Sequence, residues 1–201
     1  MNTLSPNFRN VIVIGASAGG VEALVEVVRN LPPDLPAAVF VVQHLPARAK
    51  SNLPSILQSY TGMVVREATD GDPVQAGTIY LARPDRHLLV EGDRVGVAPG
   101  PPENRFRPAV DVLFRSAAYT YRERVIGVVL TGALSDGTSG MWMVKRCGGL
   151  AIVQDPEEAS FPDMPLGVMQ YTEVDHVSPL GQLGGLLGTL VRQPLVEARD
   201  I

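Results

Sequence analysis

Cysteine is almost absent from this sequence, because Cys147 is the only one among 201 residues. A single cysteine cannot form an internal disulfide, and the cysteine clusters that bind structural zinc are excluded. The chain also lacks an apolar run long enough to cross a bilayer. Residues 1–10 lack the basic-then-apolar pattern of a secretory signal. We therefore expect a cytoplasmic protein that is not inserted in a membrane.

Charged residues are scarce as well, at 19% of the chain, with a net charge of −4. This small acidic excess argues against general attraction to nucleic acid or to an anionic membrane surface. The apolar fraction of 45% is typical of a globular chain. With no internal repeat or linker, the sequence predicts one domain over residues 1–201, with its core at about 10–192.

Apolar runs of strand length alternate with segments of helical periodicity along most of the chain. The predicted strands are 11–14, 37–42, 78–82, 124–130 and 150–153. The predicted helices are 20–29, 51–60, 110–121, 137–147 and 180–190. Short strands and turn residues over 85–97 indicate an antiparallel hairpin. The expected fold is a three-layer α/β/α, doubly wound, mostly parallel sheet with an inserted β-hairpin.

A small-residue turn follows the first predicted strand, with the sequence Gly15-Ala16-Ser17-Ala18-Gly19. It matches the G-x-S-x-G pattern of a nucleophile elbow, in which a serine is held on a sharp strand-to-helix turn. Small neighbours let a substrate approach the backbone, and amides at the helix start can stabilise an oxyanion. The alternative is a tight turn without catalytic function, or a phosphate-binding loop.

A serine needs a base to become nucleophilic, and the chain has three histidines. His44 ends the second predicted strand, next to the strand that carries Ser17. Because carboxyl ends of adjacent parallel strands meet in one crevice, we expect Ser17 and His44 to face each other. His87 and His176 are predicted to be structural or surface residues.

The carboxylate that would orient the base is Asp136, which follows the most apolar predicted strand. Its alternative function is to cap the helix that comes after it, and it could do both. Serine, histidine and aspartate thus follow three predicted strands. Their order differs from the Ser-Asp-His order of an α/β-hydrolase, so the chain is not a standard member of that fold.

Several blocks together resemble the catalytic domain of the protein-glutamate methylesterases of bacterial chemotaxis, the CheB family. The resemblance covers residues 11–190 and depends on V-I-V-I-G-A-S-A-G-G, V-V-Q-H-L-P, R-P-D-R-H-L, N-R-F-R-P-A-V-D-V-L-F, V-V-L-T-G-A-L-S-D-G and Q-D-P-E-E-A-S-F-P-D-M-P. It implies Ser17 as nucleophile, His44 as base and Asp136 as orienting acid. It also implies no metal or organic cofactor, and methylated chemotaxis receptors as partners.

The same resemblance implies an acyl-transfer reaction that removes methyl groups from glutamate γ-esters and releases methanol. Deamidation of receptor glutamine is chemically parallel. Backbone amides of Ala18 and Ala133 are the expected oxyanion donors. Arg105 and Arg107 are candidates for contact with acidic receptor surface, or else solvated loop charges.

Members of the family commonly carry an N-terminal receiver domain, whereas here the esterase motifs begin within ten residues of Met1. We expect this chain to lack the receiver domain and any regulator to be supplied in trans.

Two other functions are compatible with parts of the sequence. A Rossmann-type nucleotide binder would use the glycines after the first strand, although Ser17 replaces the second glycine of G-x-G-x-x-G. The second predicted strand also ends in Gln43-His44 rather than in the ribose-binding acid. A non-catalytic receptor-docking module would keep the fold without needing the serine, histidine and aspartate together.

Overall fold

The computed structural model describes residues 4–45 and 52–195. Its strands are β1 Val11–Ala16, β2 Ala38–Gln43, β3 Val64–Glu67, β4 Thr78–Leu81, β5 His87–Glu91, β6 Arg94–Ala98, β7 Val125–Val129, β8 Leu150–Gln154 and β9 His176–Ser178. Its α-helices are α1 Gly20–Arg29, α2 Leu53–Gln58, α3 Val110–Tyr121, α4 Thr138–Arg146, α5 Asp163–Tyr171 and α6 Leu180–Leu190. A short 3₁₀ helix, Arg122–Arg124, joins α3 to β7.

Seven of the strands form one parallel sheet in the order β3-β4-β2-β1-β7-β8-β9. The chain starts in the middle at β1, winds outward through β2, and returns to the other side of β1 with β7. β5 and β6 form a separate antiparallel hairpin. The predicted doubly wound fold with an inserted hairpin is therefore confirmed.

Helices cover both faces of the sheet because each strand of its centre is apolar on both faces. On one face, leucines of α1, α2 and α6 such as Leu24, Leu57 and Leu187 belong to the same buried cluster as Ile12 and Ile14 of β1. The other face carries α3, α4, α5 and the hairpin, whose apolar side chains form a second core cluster with the sheet. This cluster includes Phe114, Met141, Val168, Val90 and Phe40. The hairpin is attached to α3 through hydrogen bonds of the Val90 backbone with the Ser116 and Thr120 hydroxyls.

Three elements were missing from the sequence prediction: β3, α5 and β9. Strands β3 and β9 are short, lie at the two sheet edges and carry polar residues, so they lack the apolar run of a central strand. Helix α5 contains Pro165 and Gly167, which weaken a helical pattern, but Pro165 lies in the first turn, where no intrahelical amide bond is needed.

The remaining boundaries differ from the prediction by a few residues. β1 continues to Ala16, α2 is shorter than the predicted 51–60 segment, and residue 51 lies outside the described residues. The six α-helices of the described ranges contain between 6 and 12 residues. Among residues 4–45 and 52–195, no helix is both long and apolar enough to cross a membrane.

Candidate active site

The ends of β1 and β2 bring Ser17 and His44 to neighbouring positions. In the parallel register, Ala16 is opposite Gln43, and the next pair along the two strands is Ser17 and His44. The His44 amide donates to the Ala16 carbonyl at 3.0 Å, which extends the ladder to this point. Both residues line an open groove of about 560 Å³ at the carboxyl edge of the sheet.

The turn after β1 is held against the end of β7. The Ser17 amide donates to the Thr131 carbonyl at 3.0 Å, and the Thr131 hydroxyl donates to the Ala18 carbonyl at 3.0 Å. Gly19 adopts φ +74°, a left-handed conformation that glycine adopts without strain. A Cβ on Gly132 would lie 2.8 Å from the Cβ of Ser17, so the backbone after β7 lies directly against the serine.

Gln43 supports this turn from the end of β2. Its side-chain amide donates to the Ser17 carbonyl at 2.8 Å and to the His44 carbonyl at 3.0 Å. Gln43 is almost fully buried, and these bonds compensate for the desolvation of its NH₂ group, whereas its Oε1 has no partner among the described residues. Gln43 therefore ties together the backbone of the two residues that face each other across the strand ends.

The imidazole of His44 is paired with Asp136. Nε2 of His44 lies 2.7 Å from Oδ2 of Asp136, and the two side chains are 4% and 0% exposed. Nδ1 of His44 is buried and has no hydrogen-bond partner among the described residues. Because Nε2 is bonded to the carboxylate, the neutral ring carries its proton on Nε2 and leaves the Nδ1 lone pair free.

The residue type at the end of β2 also disfavours a Rossmann-type nucleotide site, which needs a ribose-binding acid at this position.

Asp136 accepts four hydrogen bonds although it is buried. Besides His44, the donors are the backbone amides of Val110 at 2.7 Å and Asp111 at 3.0 Å and the side-chain amide of Asn104 at 2.9 Å. Burial by itself would raise the pKa of Asp136. The hydrogen bonds from these four donors outweigh burial, so the pKa lies below its ordinary value of 3.8. Asp136 is therefore a carboxylate that stays ionised in the interior.

The capping function predicted as the alternative for Asp136 is wrong for the helix that follows it. Asp136 binds the first amides of α3, whereas α4 is capped by Asp111, a residue of α3. Oδ1 of Asp111 accepts from the Gly137 amide at 3.0 Å and from the Gly140 amide at 2.6 Å. Asp136 thus stabilises the amino end of α3, and Asp111 stabilises the amino end of α4. This exchange is possible only because α3 and α4 pack against each other.

A loop before α3 covers this pair of side chains. The ring of Phe106 stacks on the imidazole of His44, with ring centroids 3.5 Å apart and planes 7° apart. Asn104, in the same loop, donates to Asp136 and also to Asp111 at 2.8 Å. The sequence prediction assigned no function to Asn104, Phe106 or Asp111. The available signal was the compact N-R-F-R-P-A-V-D motif, which leads directly into a helix.

The two loop arginines differ in their surroundings. Arg107 uses all three guanidinium nitrogens within the protein: Nε bonds Asp85 at 2.8 Å, Nη2 bonds the same oxygen, and Nη1 bonds the Gly100 carbonyl at 2.8 Å. Arg105 is exposed and lines the groove with Ser17, and it makes no ion pair or hydrogen bond with other described residues. Arg105 is therefore the guanidinium that is available to a substrate.

The predicted oxyanion donors lie on the two turns that meet at Ser17. Ala18 directly follows Ser17. Ala133 directly follows Gly132, whose backbone lies against Ser17. Neither amide donates a hydrogen bond to any residue in the described ranges. The Gly132 amide, in contrast, is already bonded to the Phe161 carbonyl at 2.9 Å. The oxyanion function of Ala18 and Ala133 stays a prediction.

The other two histidines, predicted to be structural or surface residues, do not line the groove with Ser17. His87 is buried, with Nε2 at 2.8 Å from the Pro101 carbonyl and Nδ1 accepting from the Ala109 amide at 3.3 Å. His176 begins the edge strand β9. Over the part of the chain that the structure describes, no three histidine, cysteine, aspartate or glutamate residues group in a way that could hold a metal ion.

Comparison with known proteins places these features in one family. A family model described as CheB methylesterase matches residues 12–187, which is most of the chain. The chain belongs to the CheB methylesterase family. The crystal structure of the Thermotoga maritima CheB methylesterase catalytic domain superposes with a TM-score of 0.86 at 36% sequence identity. That match covers 90% of this chain and 98% of the Thermotoga chain.

Curated relatives differ from this chain in length. A protein of Leptospira interrogans is 39% identical over 176 residues, covering 87% of this chain and 91% of its own. The protein-glutamate methylesterase/protein-glutamine glutaminase of Symbiobacterium thermophilum is 39% identical over 173 residues, but only 48% of it is covered. A relative from Anaeromyxobacter dehalogenans is covered to 53%. The chain thus spans nearly all of one relative and about half the length of others.

Proposed function

We propose that this protein hydrolyses γ-methyl esters of glutamate side chains on methyl-accepting chemotaxis receptors and releases methanol. The observation that carries the proposal is the buried His44–Asp136 pair at the strand end next to Ser17, with Nδ1 of the ring unbonded. Membership of the CheB methylesterase family supports the substrate. The names of relatives that include a glutaminase activity support receptor glutamine as a second substrate.

In the first step, the Ser17 hydroxyl oxygen attacks the γ-carbonyl carbon of the ester while Nδ1 of His44 takes the hydroxyl proton. The new C–O bond turns the carbonyl oxygen into an oxyanion, and the ring becomes an imidazolium. Nε2–H of the ring stays bonded to Asp136, whose negative charge stabilises the imidazolium. Asp136 stays ionised throughout, in agreement with the lowering of its pKa by its four hydrogen-bond donors.

In the second step, the imidazolium returns the proton to the methoxy oxygen. The C–OCH₃ bond breaks, and methanol leaves an acyl-serine. Water then attacks the acyl carbon while His44 takes one of its protons, the bond to Ser17 breaks, and the imidazolium returns that proton to the Ser17 oxygen. The glutamic acid that is released ionises by losing its proton to solvent, which leaves the free enzyme restored. For a glutamine substrate, the leaving group is ammonia, and the same sequence of proton transfers applies.

The developing oxyanion is assigned to the amides of Ala18 and Ala133, which flank Ser17 from two turns and are unbonded within the described ranges. Arg105 is assigned to an acidic side chain of the receptor beside the ester, because its guanidinium is exposed in the same groove. Arg107 is excluded from this assignment because Asp85 and loop carbonyls occupy its nitrogens. The receptor's cytoplasmic region is the expected partner, and the cytoplasm is the expected location.

The deciding experiment measures methanol release from receptor-containing membranes that carry radiolabelled methyl esters. We expect release with the wild-type protein and none above background with Ser17→Ala, which fits the turn without its hydroxyl. Ser5→Ala is the matched control, since Ser5 lies at the opposite edge of the sheet. Equal release by Ser17→Ala and wild type would refute the proposed nucleophile. Ammonia release from receptors with glutamine at the same sites tests the second substrate.

A further inference from the structure

Asn104 occupies an unusual place, because one side-chain amide bonds two buried carboxylates. Its Nδ2 donates to Oδ1 of Asp136 at 2.9 Å and to Oδ2 of Asp111 at 2.8 Å. Both aspartates are nearly inaccessible to solvent, at 1% and 4% exposure. Asn104 itself comes from an exposed loop and has φ +51°, a left-handed conformation that asparagine tolerates better than most residues.

The two carboxylates need a donor between them. Burial raises the pKa of Asp111, and the charge of Asp136 raises it further, while the Gly140 amide, Asn104 and the positive charge of Arg115 act in the opposite direction. The other donors to the two carboxylates are backbone amides and the His44 ring. Asn104 is the donor that the loop contributes, and it bonds both carboxylates. The amide therefore offsets like-charge repulsion at the point where the two helix caps meet.

The same loop also contacts the base. Two residues after Asn104, the Phe106 ring stacks on the imidazole of His44 at 3.5 Å between centroids. Asn104 thus acts on the carboxylate and Phe106 on the ring of one hydrogen-bonded pair. The loop is anchored independently of that pair, through His87 to Pro101 and Ala109, and through Arg107 to Asp85.

We propose that Asn104 is a positioning residue for the hydrolysis: its amide bridge between Asp136 and Asp111 aims the Asp136 carboxylate at Nε2 of His44 and seats Phe106 on the imidazole. This inference rests on the proposed function. It assigns to Asn104 no contact with substrate. Its effect passes through the His44–Asp136 pair to the proton transfer, so it belongs to the chemical step and not to receptor binding.

Two variants separate this function from simple support of the loop. Asn104→Gly removes the amide and accepts the left-handed backbone without strain. Asn104→Asp keeps the shape of the side chain but places a third carboxylate against Asp136 and Asp111, where the donor was. Glu103→Gln is the matched control, because Glu103 is the adjacent residue, its side chain accepts from Arg115 rather than contacting Asp136, Asp111 or His44, and glutamine keeps an acceptor for Arg115.

Steady-state methanol release is measured across pH for wild type and the three variants, with thermal unfolding as a check on folding. Asn104→Gly should lower kcat about tenfold to a hundredfold with KM nearly unchanged, the scale of one lost hydrogen bond to a charged group. The acid limb of the kcat/KM profile should move to higher pH, because the charge of Asp136, no longer shared with the Asn104 amide, stabilises the imidazolium more strongly. Asn104→Asp should move that limb further, and Glu103→Gln should match wild type.

The inference is overturned if folded Asn104→Gly or Asn104→Asp keeps the wild-type kcat and acid limb. It is also overturned if the variants change KM alone, since that would make Asn104 a receptor contact. If the wild-type protein shows no Ser17-dependent methanol release, the proposed function is wrong instead. The two failures are therefore distinguishable.

Discussion

The parallel sheet has an amino edge, where its strands begin, and a carboxyl edge, where they end, and each carries a large concavity. The concavity at the amino edge, which lacks the candidate triad, is the larger of the two. At the amino edge, a cavity of about 700 Å³ lies between the starts of the central strands and the end of α6. Its lining is mostly apolar or proline-rich, with Phe8, Pro33, Leu35, Pro36 and Val191. At the carboxyl edge, the groove measures about 560 Å³ and contains Ser17 and His44.

The difference lies in how each edge holds its charges. The ion pair at the amino edge joins Arg192 to Asp34 at 2.9 Å, with side chains 41% and 79% exposed. The pair at the carboxyl edge joins His44 to Asp136 at 2.7 Å, with side chains 4% and 0% exposed. Burying ionisable groups is costly unless many partners compensate. The carboxyl edge has those partners because α3 and α4 begin there and present unpaired amides.

The largest expected effect concerns the histidine of the carboxyl edge. His44→Ala removes the only imidazole at the carboxyl edge groove and should reduce methanol release by up to about a millionfold, as triad losses do elsewhere. His176→Ala, at the start of the edge strand β9, should retain wild-type activity. Substantial activity in His44→Ala, or its loss in folded His176→Ala, would contradict the assignment of the base.

The next effect concerns the carboxylate. Asp136→Asn keeps the side-chain shape but removes the charge that orients and stabilises the ring, so kcat should fall about ten-thousandfold, as the matching change does in another Ser-His-Asp enzyme. Asp34→Asn at the amino edge is the control and should leave kcat unchanged. Single-turnover methanol release measures both. A loss of less than about tenfold in Asp136→Asn would mean that the carboxylate is not part of the catalytic unit.

The same aspartate should make stability depend on pH. The pKa of Asp136 is lower in the folded protein than its ordinary value of 3.8, so ionised Asp136 contributes stability above about that pH. This contribution disappears as the pH falls through the lower folded-state value. Asp111, whose pKa is raised, acts in the opposite sense and contributes stability only at low pH.

Urea denaturation of wild type and Asp136→Asn across acidic and neutral pH measures this contribution. The difference in unfolding free energy should be largest at neutral pH and shrink in acid. A difference that does not depend on pH would show that Asp136 is held by packing rather than by its charge.

The smallest effect is expected at the amino edge. Asp34→Ala breaks only an exposed ion pair with Arg192, so the free energy of unfolding should change by less than about 1 kcal/mol, and methanol release should stay at the wild-type level. Denaturant titration and the methanol assay together check this. Reduced activity in this variant would mean that the two edges of the sheet are coupled.

Much of the architecture could be predicted because central strands and amphipathic helices have strong local patterns. The parallel sheet, the hairpin and the adjacency of Ser17 and His44 follow from strand ends in chain order. The edge strands β3 and β9 and helix α5 could not be predicted, because their residues are polar or interrupted by proline and glycine. Their formation depends on neighbours supplied by the rest of the fold.

The site shows the same division at the level of single residues. Residue type and position after a strand were enough to predict Ser17, His44 and Asp136 as a group. The ring nitrogen that meets Asp136, the exchange of helix caps between Asp136 and Asp111, and the bridge from Asn104 could not be read from the sequence. Each joins segments that are separated along the chain and meet only when α3 packs beside α4.

The sequence by itself therefore determined which side chains carry the proposed chemistry and to which edge of the sheet they go, since both depend on local order along each strand and turn. The tertiary structure decided how these side chains are oriented and kept charged. Orientation depends on donors such as the Val110 amide and Asn104, which reach Asp136 from 26 and 32 residues away in the chain. No local pattern encodes such a contact, because its geometry exists only after the layers have packed.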